Sequence, residues 1–533
     1  MTAGPPGRRI AVFDAHWATA GGGETYAAGI AEVLSRRHDV TLISPDPIDT
    51  RWLGERLSMD LSRVSVAVVD PTVALEETST GYDLLVNVSY RDHGRNGAAR
   101  GVYVVHFPDL PGAEWSWYQK ALNAVGRPFR ARRTLVRFPS GFHPPDAVRW
   151  QQVRWTDGQG VLAVDLGPGE RRDLHLWFGR FVPGGATRHL SVTVDDGPVV
   201  EAALHPPTSK LDILEPLRVD VPVVGRPGGT IVRITSESAV AHDVIGNGDH
   251  RRLGVPLVDV STGGWPGFRL AARLSLLTAD PPGTSWLDSY DLVVANSDYT
   301  QRWIARWWGR SSVVLEPPVR LRQPSVKDPI ILSVGRFFAP GRGHAKKQLE
   351  LVESFRHLTS AGLTAGWQLH LVGGCGPLDA PYLDQVRTAA AGLDVVFHVD
   401  ATGAELDDLY ARAALYWHAT GLEEDIDADP VRAEHFGITT VEAMSAGAVP
   451  IVMAAGGQPD IVRDGVDGLL FTTRQGLLDA TGRLLSDPEM RERLSASAID
   501  RAARFGVESF AVRLESLLGR VDRGWHGTSE GEN

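Results

Sequence analysis

Glu434-His435-Phe436-Gly437-Ile438-Thr439-Thr440-Val441-Glu442-Ala443-Met444-Ser445-Ala446-Gly447-Ala448-Val449-Pro450 is the stretch on which the fold turns. Seven residues separate its two carboxylates, Glu434 and Glu442. Phe436-Gly437 reads as a turn, and the small residues around Glu442 read as a helix. The apolar run Pro450-Ile451-Val452-Met453 then reads as a buried parallel strand. A loop, a helix and a strand make half of a βαβ unit. In such sheets ligands lie outside the carboxyl ends of the strands, where helix N-termini offer N–H groups to phosphates. Two acids beside a helix start suggest a site for a polyhydroxylated, anionic ligand.

Upstream, the same alternation begins with the strand Ile330-Ile331-Leu332-Ser333-Val334. Gly335-Arg336 ends it, and Lys346-Lys347 precede a helix from Gln348 to Leu358. Cations at a strand end and a helix mouth fit either a diphosphate clamp or ordinary surface charge. Further strands follow at Leu369-His370-Leu371-Val372, Val395-Val396-Phe397-His398 and Leu415-Tyr416-Trp417-His418. Downstream, Gly456-Gly457-Gln458-Pro459 is a tight turn, and a helix from about Val507 to Arg520 closes the pattern. Between His418 and Glu434 runs an acidic loop, Glu423-Glu424-Asp425-Ile426-Asp427-Ala428-Asp429.

The chain opens with a second α/β pattern. The strand Ile10-Ala11-Val12-Phe13 is followed by Gly21-Gly22-Gly23-Glu24 and an amphipathic helix through Ile30, Val33 and Leu34. Three glycines before a helix let the backbone approach a ligand closely, or form a flexible turn. Their spacing is not that of a dinucleotide site. Val102-Tyr103-Val104-Val105 ends at His106, which places a histidine at the carboxyl end of a strand. Residues 115–137 mix Trp115, Trp117 and Tyr118 with Arg127, Arg130, Arg132 and Arg133. That mixture fits a membrane interface or a lipid-linked phosphate, or else a solvated loop-helix. From Phe138 to Val260 short alternating runs, such as Leu217-Arg218-Val219-Asp220-Val221, are punctuated by Gly and Pro clusters, which indicates an all-β sandwich. Trp150, Trp155 and Trp177 within it are either a sugar platform or core aromatics. The α/β pattern resumes at Leu292-Val293-Val294-Ala295-Asn296-Ser297.

Composition sets the outer limits. At 533 residues the chain has room for about three or four domains. A hydrophobic share of 43% is that of a globular protein, and a formal charge of -11 argues against a nucleic-acid partner. Cys375 is the single cysteine, so no disulfide framework or cysteine-based metal cluster is expected. The Gly/Pro-rich start from Met1 to Arg9 lacks an apolar signal core, and the expected location is cytoplasmic. Residues 115–137 are the candidate for contact with the inner face of a membrane.

The Glu-x7-Glu stretch, the glycine-rich first loop, His106, Asn296-Ser297, Gly335-Arg336, Lys346 and Gly456-Gly457 occur in the order found in GT-B glycosyltransferases. Together they resemble glycosyltransferase family 4. Lys346 precedes Phe355 by nine residues, which matches the family's spacing, although Lys347 stands where the family usually has glycine. The acidic loop replaces a brief Pro-Ser turn of the family, and its Asp-x-Asp wording resembles a metal site of the other glycosyltransferase fold. The wording around His435 resembles members that use mannose donors on lipid-linked acceptors.

The resemblance implies two Rossmann-like lobes across a cleft, an α/β GT-B fold; it does not cover the all-β sandwich, which interrupts the α/β pattern and reads as an insert in the N-terminal lobe. The implied divisions are an N-terminal acceptor lobe (1–137 and 261–318), the insert (138–260), a C-terminal donor lobe (319–505), a helix crossing back (506–523) and a polar tail (524–533). It implies a retaining enzyme that moves a hexose from a nucleotide sugar to a glycan or lipid-linked acceptor, with no cofactor and no metal. Arg336 and Lys346 would hold the donor diphosphate, and Glu434 the hydroxyls of the transferred sugar. Phe436, Gly437 and Ile438 would offer backbone N–H groups, and Glu442 would hold the ribose. Gly22 and Gly23 would face the diphosphate, with His106 near the reacting sugar. Two other readings are a carbohydrate-binding protein without turnover and a sugar-nucleotide epimerase.

Overall fold

The computed structural model describes residues 7–70, 73–109, 135–143, 146–148, 151–181, 185–195, 197–207, 216–226, 229–241, 244, 251–261, 284–338, 345–376 and 379–522. Most of the arginine-rich segment 115–137, together with Trp150 and the tail 524–533, lies outside them. The chain divides into two compact units. One comprises Met1–Val68, Leu75–Pro108 and Trp286–Asn533, and the other Val69–Ala74 and Asp109–Ser285.

The first unit holds two parallel sheets. In the N-terminal sheet the strands run Val313–Val314, Leu292–Ala295, Gly101–Val105, Leu84–Asn87, Arg9–Phe13, Asp39–Ser44 and Ser65–Val68. In the C-terminal sheet the order is Val395–Val399, Gln368–Gly373, Asp328–Val334, Ala413–His418, Val449–Met453 and Leu469–Phe471. Numbered along the chain, both follow 3-2-1-4-5-6, with a seventh strand added at the edge of the N-terminal sheet; this is the doubly wound order, which reverses between strands 1 and 4. Both faces are covered by helices, so the strands are apolar throughout rather than alternating: every residue of Val449–Met453 and Ala413–His418 is buried. The reversal leaves a crevice at the carboxyl ends of strands 1 and 4. In the C-terminal sheet that crevice is bordered by Gly335-Arg336 and by His418.

The closing helix Val507–Asp522 ties the two lobes. Its Phe510, Leu514, Leu517 and Leu518 join the N-terminal core alongside Ile30, Val33 and Leu34. Glu316, in the segment leading to the second lobe, accepts from Arg504 at 2.8 Å and pairs with Arg513. The residues that bring the chain to the second lobe are thereby bonded to those that bring it back. Among the described residues no helix is long and apolar enough to cross a membrane.

The second unit is built of antiparallel pairs. Its nine-stranded arrangement runs Val199–Leu204, Arg188–Val194, Thr230–Ser236, Gln151–Asp165, Pro256–Ser261, Arg171–Phe178 and Leu217–Val224, with Leu135–Phe142 and Asp146–Val148 also paired to Gln151–Asp165. Buried residues alternate along Leu217–Val224, where Val219, Val221 and Val223 turn inward. Trp155 and Trp177 are both buried and pack with Val153 and Val258, as core aromatics do.

His370 and His398, on neighbouring strands of the C-terminal sheet, stack at 5.1 Å with Nε2 of His398 3.1 Å from Nδ1 of His370. Burial pushes the His370 imidazole down to about 4. The folded ring therefore stays neutral where the unfolded one takes up a proton, near pH 6.5. Its contribution to stability is complete above that value and is lost as the pH falls towards 4. The drop in melting temperature between about pH 7 and pH 5 should be smaller in His370→Leu than in the wild type. An equal drop in both would show that His370 takes no part.

Candidate functional site

The two carboxylates of the Glu434–Glu442 stretch enter different networks. Glu434 lies on the turn before the helix Ile438–Ser445. Lys346 Nζ donates to its Oε2 at 2.5 Å, and His418 Nε2 lies 2.9 Å from the same oxygen. Glu442 faces elsewhere: its Oε1 accepts from Arg322 at 2.5 Å and its Oε2 from the Tyr410 hydroxyl at 3.0 Å. The hydroxyl of Tyr410 is kept protonated, first by burial and then by the neighbouring Glu442 charge.

Glycine makes the Glu434 turn possible. Gly437 has φ of 123° at the helix start, a conformation L side chains rarely adopt. Gly456 and Gly457 lie directly against the turn, and Gly457 N–H donates to the Glu434 carbonyl at 2.7 Å. A Cβ on Gly456 would stand 2.0 Å from that same carbonyl oxygen. The Phe436 side chain is buried against Phe505 with ring centroids 5.8 Å apart, so only its backbone is available to a ligand.

Gly335 plays a similar part for Lys346, whose Cγ would be 2.6 Å from a Cβ placed there. The Gln348 amide donates to the carbonyls of Gly335 and Arg336 at 3.1 and 3.0 Å and so fixes the strand end. Arg336 reaches the opposite lobe, where its Nη2 donates to the Thr19 carbonyl at 3.3 Å. A Cβ on Gly21 would lie 3.3 Å from that Nη2, and one on Gly22 would lie 3.7 Å from Ile438 Cδ1. A Cβ on Gly23 would sit 3.4 Å from the His106 ring. The glycine loop, His106, Arg336 and Ile438 are thus brought together.

His106 Nε2 is 2.7 Å from the Val88 carbonyl. A carbonyl only accepts, so this nitrogen carries the proton. Burial pushes the ring's pKa down, and the ring is neutral at pH 7. Asn296 and Ser297 act on backbone: Asn296 Nδ2 donates to the His106 carbonyl at 2.9 Å, and Ser297 Oγ to the His435 carbonyl at 2.5 Å. His435 also stacks on Phe107 at 4.1 Å, a second contact between the lobes.

Lys347 does not share the position of Lys346. It adopts φ of 60° at the helix start, where glycine would be unstrained, and its Nζ donates to Glu424 at 2.6 Å. Arg432 donates to Glu424 at 2.6 Å and to Asp429 at 2.7 Å, and Arg474 pairs with Glu423 at 3.1 Å. Three of the loop's five acids, Glu423, Glu424 and Asp429, are therefore paired with cations of the same chain. The left-handed Lys347 is thus tied to the acidic loop through Glu424.

Sequence reasoning passed over three partners at the site. His418 and Gln458 hold Glu434, with Gln458 Nε2 3.3 Å from His418 Nδ1. Glu24 Oε2 accepts the Gly21 N–H at 2.6 Å and fixes the entry to the first helix. An acid three residues beyond a helix-capping position is a readable signal for Glu24.

Residues 321–501 match the family model described as glycosyl transferases group 1. The chain is 27% identical over 253 residues to a mouse GDP-Man:Man(3)GlcNAc(2)-PP-Dol alpha-1,2-mannosyltransferase, covering 43% of this chain and 49% of that one. It is 42% identical over 84 residues to a D-inositol 3-phosphate glycosyltransferase of Frankia alni, covering 15% and 21% of the two chains. The chain thus spans half or less of the length of these curated relatives. A glycosyltransferase from Rickettsia africae aligns with a TM-score of 0.52 at 10% identity, over 97% of this chain and 100% of its own. The HepE protein of Anabaena, in complex with UDP and glucose, aligns with a TM-score of 0.50 at 14% identity, over 96% and 99%. The segment 321–501 therefore resembles a group 1 glycosyl transferase domain, set in a two-lobed α/β fold shared with solved glycosyltransferases.

Proposed function

We propose that this protein is a retaining glycosyltransferase of the family 4 type, moving a hexose from a nucleotide sugar to a glycan or lipid-linked acceptor. The observation that carries the reading is the Lys346–Glu434 pair at the crevice of the C-terminal sheet, 2.5 Å apart. In this reading the donor separates the two: its diphosphate takes Lys346 together with Arg336, and the hydroxyls of its sugar take Glu434. Positive charge then meets the phosphate as the glycosidic bond breaks. The departing phosphate accepts the acceptor's proton from the same face, so the neutral His106 orients the sugar without acting as a base. Glu442, joined to Arg322 and Tyr410, takes the ribose hydroxyls.

The reaction needs no metal ion in this account, because Arg336 and Lys346 supply the cations. The domain limits 1–137, 138–260, 261–318, 319–505 and 506–523 belong to the same proposal, with 138–260 an inserted all-β sandwich. A cytoplasmic place and a lipid-linked acceptor, reached through the 115–137 segment, complete it. The mouse relative named for a PP-Dol substrate supports that acceptor class.

The test is thermal-shift screening against UDP-, GDP- and ADP-sugars, followed by transfer assays with the donor that binds. A donor at a hundred times its dissociation constant stabilises the fold by about 2.7 kcal/mol, enough for a clear upward shift. No shift and no transfer with any nucleotide sugar would overturn the proposal. An epimerised sugar after incubation with donor alone would replace it with an epimerase.

A further inference from the structure

His418 ends the fourth strand of the C-terminal sheet and is 3% exposed. Its Nε2 lies 2.9 Å from Glu434 Oε2, and its Nδ1 lies 3.3 Å from Nε2 of Gln458, which is fully buried. A carboxylate only accepts, so the ring proton sits on Nε2, facing Glu434, and Nδ1 is left to accept from the Gln458 amide. The opposite neutral tautomer would turn a lone pair on Glu434 at hydrogen-bond distance. The N–H of Gly457, the neighbour of Gln458, donates to the Glu434 carbonyl at 2.7 Å. One turn therefore fixes the acid twice, at its backbone directly and at its side chain through His418.

Lys346 and His418 meet the same carboxylate oxygen but differ in freedom. Lys346 has a long flexible stem, whereas His418 is enclosed at a strand end. A diphosphate that draws Lys346 away leaves the histidine contact in place. We infer that His418 is a positioning residue, which holds the Glu434 carboxylate towards the transferred sugar through its Nε2–H while Lys346 moves to the diphosphate. This rests on the donor-site roles of Glu434 and Lys346 given above.

The test is a double-mutant cycle on the full chain with His418→Leu and Glu434→Gln, read as turnover of the nucleotide sugar that binds. Loss of a hydrogen bond to a charged group lowers turnover by about tenfold to a hundredfold in His418→Leu. In the Glu434→Gln background the same change should cost less than about threefold, because the contact it removes no longer meets a charge. His418→Gln, which can present an amide N–H near the Nε2 position, should recover most of the loss. Equal losses in both backgrounds would show a purely structural histidine and overturn the inference. Wild-type turnover in Glu434→Gln would instead overturn the donor-site reading itself.

A second measurement does not depend on turnover. In protein labelled with ¹⁵N-histidine, the ring assigned by its absence from His418→Gln should show the Nε2-protonated neutral form at pH 7. An Nδ1-protonated or doubly protonated ring would overturn the inference. Gln458→Leu, which removes the donor to Nδ1, should disturb that form and lower turnover less than His418→Leu does.

Discussion

On the proposed transferase reading, Lys346→Ala should lower hexosyl turnover by about two to three orders of magnitude, the scale on which one preorganised donor to a developing negative charge contributes. Two effects combine. In the proposed reading the truncated side chain no longer meets the leaving diphosphate, and Glu434 loses a partner that stands 2.5 Å away. His418 still holds the acid, so the carboxylate keeps that contact. The fold changes little by comparison. The side chains of Lys346 and Glu434 are only 20% and 17% exposed, so losing this part-buried pair costs the fold about 1–3 kcal/mol. Steady-state turnover beside a thermal melt separates the two outcomes. A modest fall in melting temperature with turnover nearly lost is expected, and wild-type turnover would remove Lys346 from the chemistry.

Much of this site was legible along the chain because its parts are local. The Glu434 turn, its Phe-Gly and the strand that follows are contiguous, and βαβ alternation marks both sheets. What was not legible depends on distant partners. His418 ends an apolar strand and carries no local mark; its meaning comes from Glu434 sixteen residues on and Gln458 forty residues on. Glu442 reads as half of a pair, yet its side chain is held by Arg322, 120 residues away. Lys347 was visible as a departure from glycine, but its strained backbone is explained only by Glu424, 77 residues along. The same contact gives the acidic loop a partner within the chain, whereas its Asp-x-Asp wording alone points towards a metal.

Two glycine substitutions with the same backbone cost test whether the place of Glu434 governs turnover. Gly456 and Gly465 have φ of 66° and 71°, so alanine at either strains a left-handed backbone by about 1–2 kcal/mol. Around Gly465 a new Cβ meets nothing within 4 Å. At Gly456 it would meet the Glu434 carbonyl oxygen at 2.0 Å, and the backbone of the acid must move to admit it. Gly465→Ala should therefore lower the melting temperature slightly and leave turnover at the wild-type level. Gly456→Ala should lower it further and reduce turnover by about a hundredfold, the scale expected when a positioning group is displaced by about 1 Å. Because the left-handed strain is common to both, the difference between the variants measures the displacement alone. If Gly456→Ala lost stability but kept its turnover, the position of Glu434 would not be what transfer depends on, and the sugar would have to be held by another group.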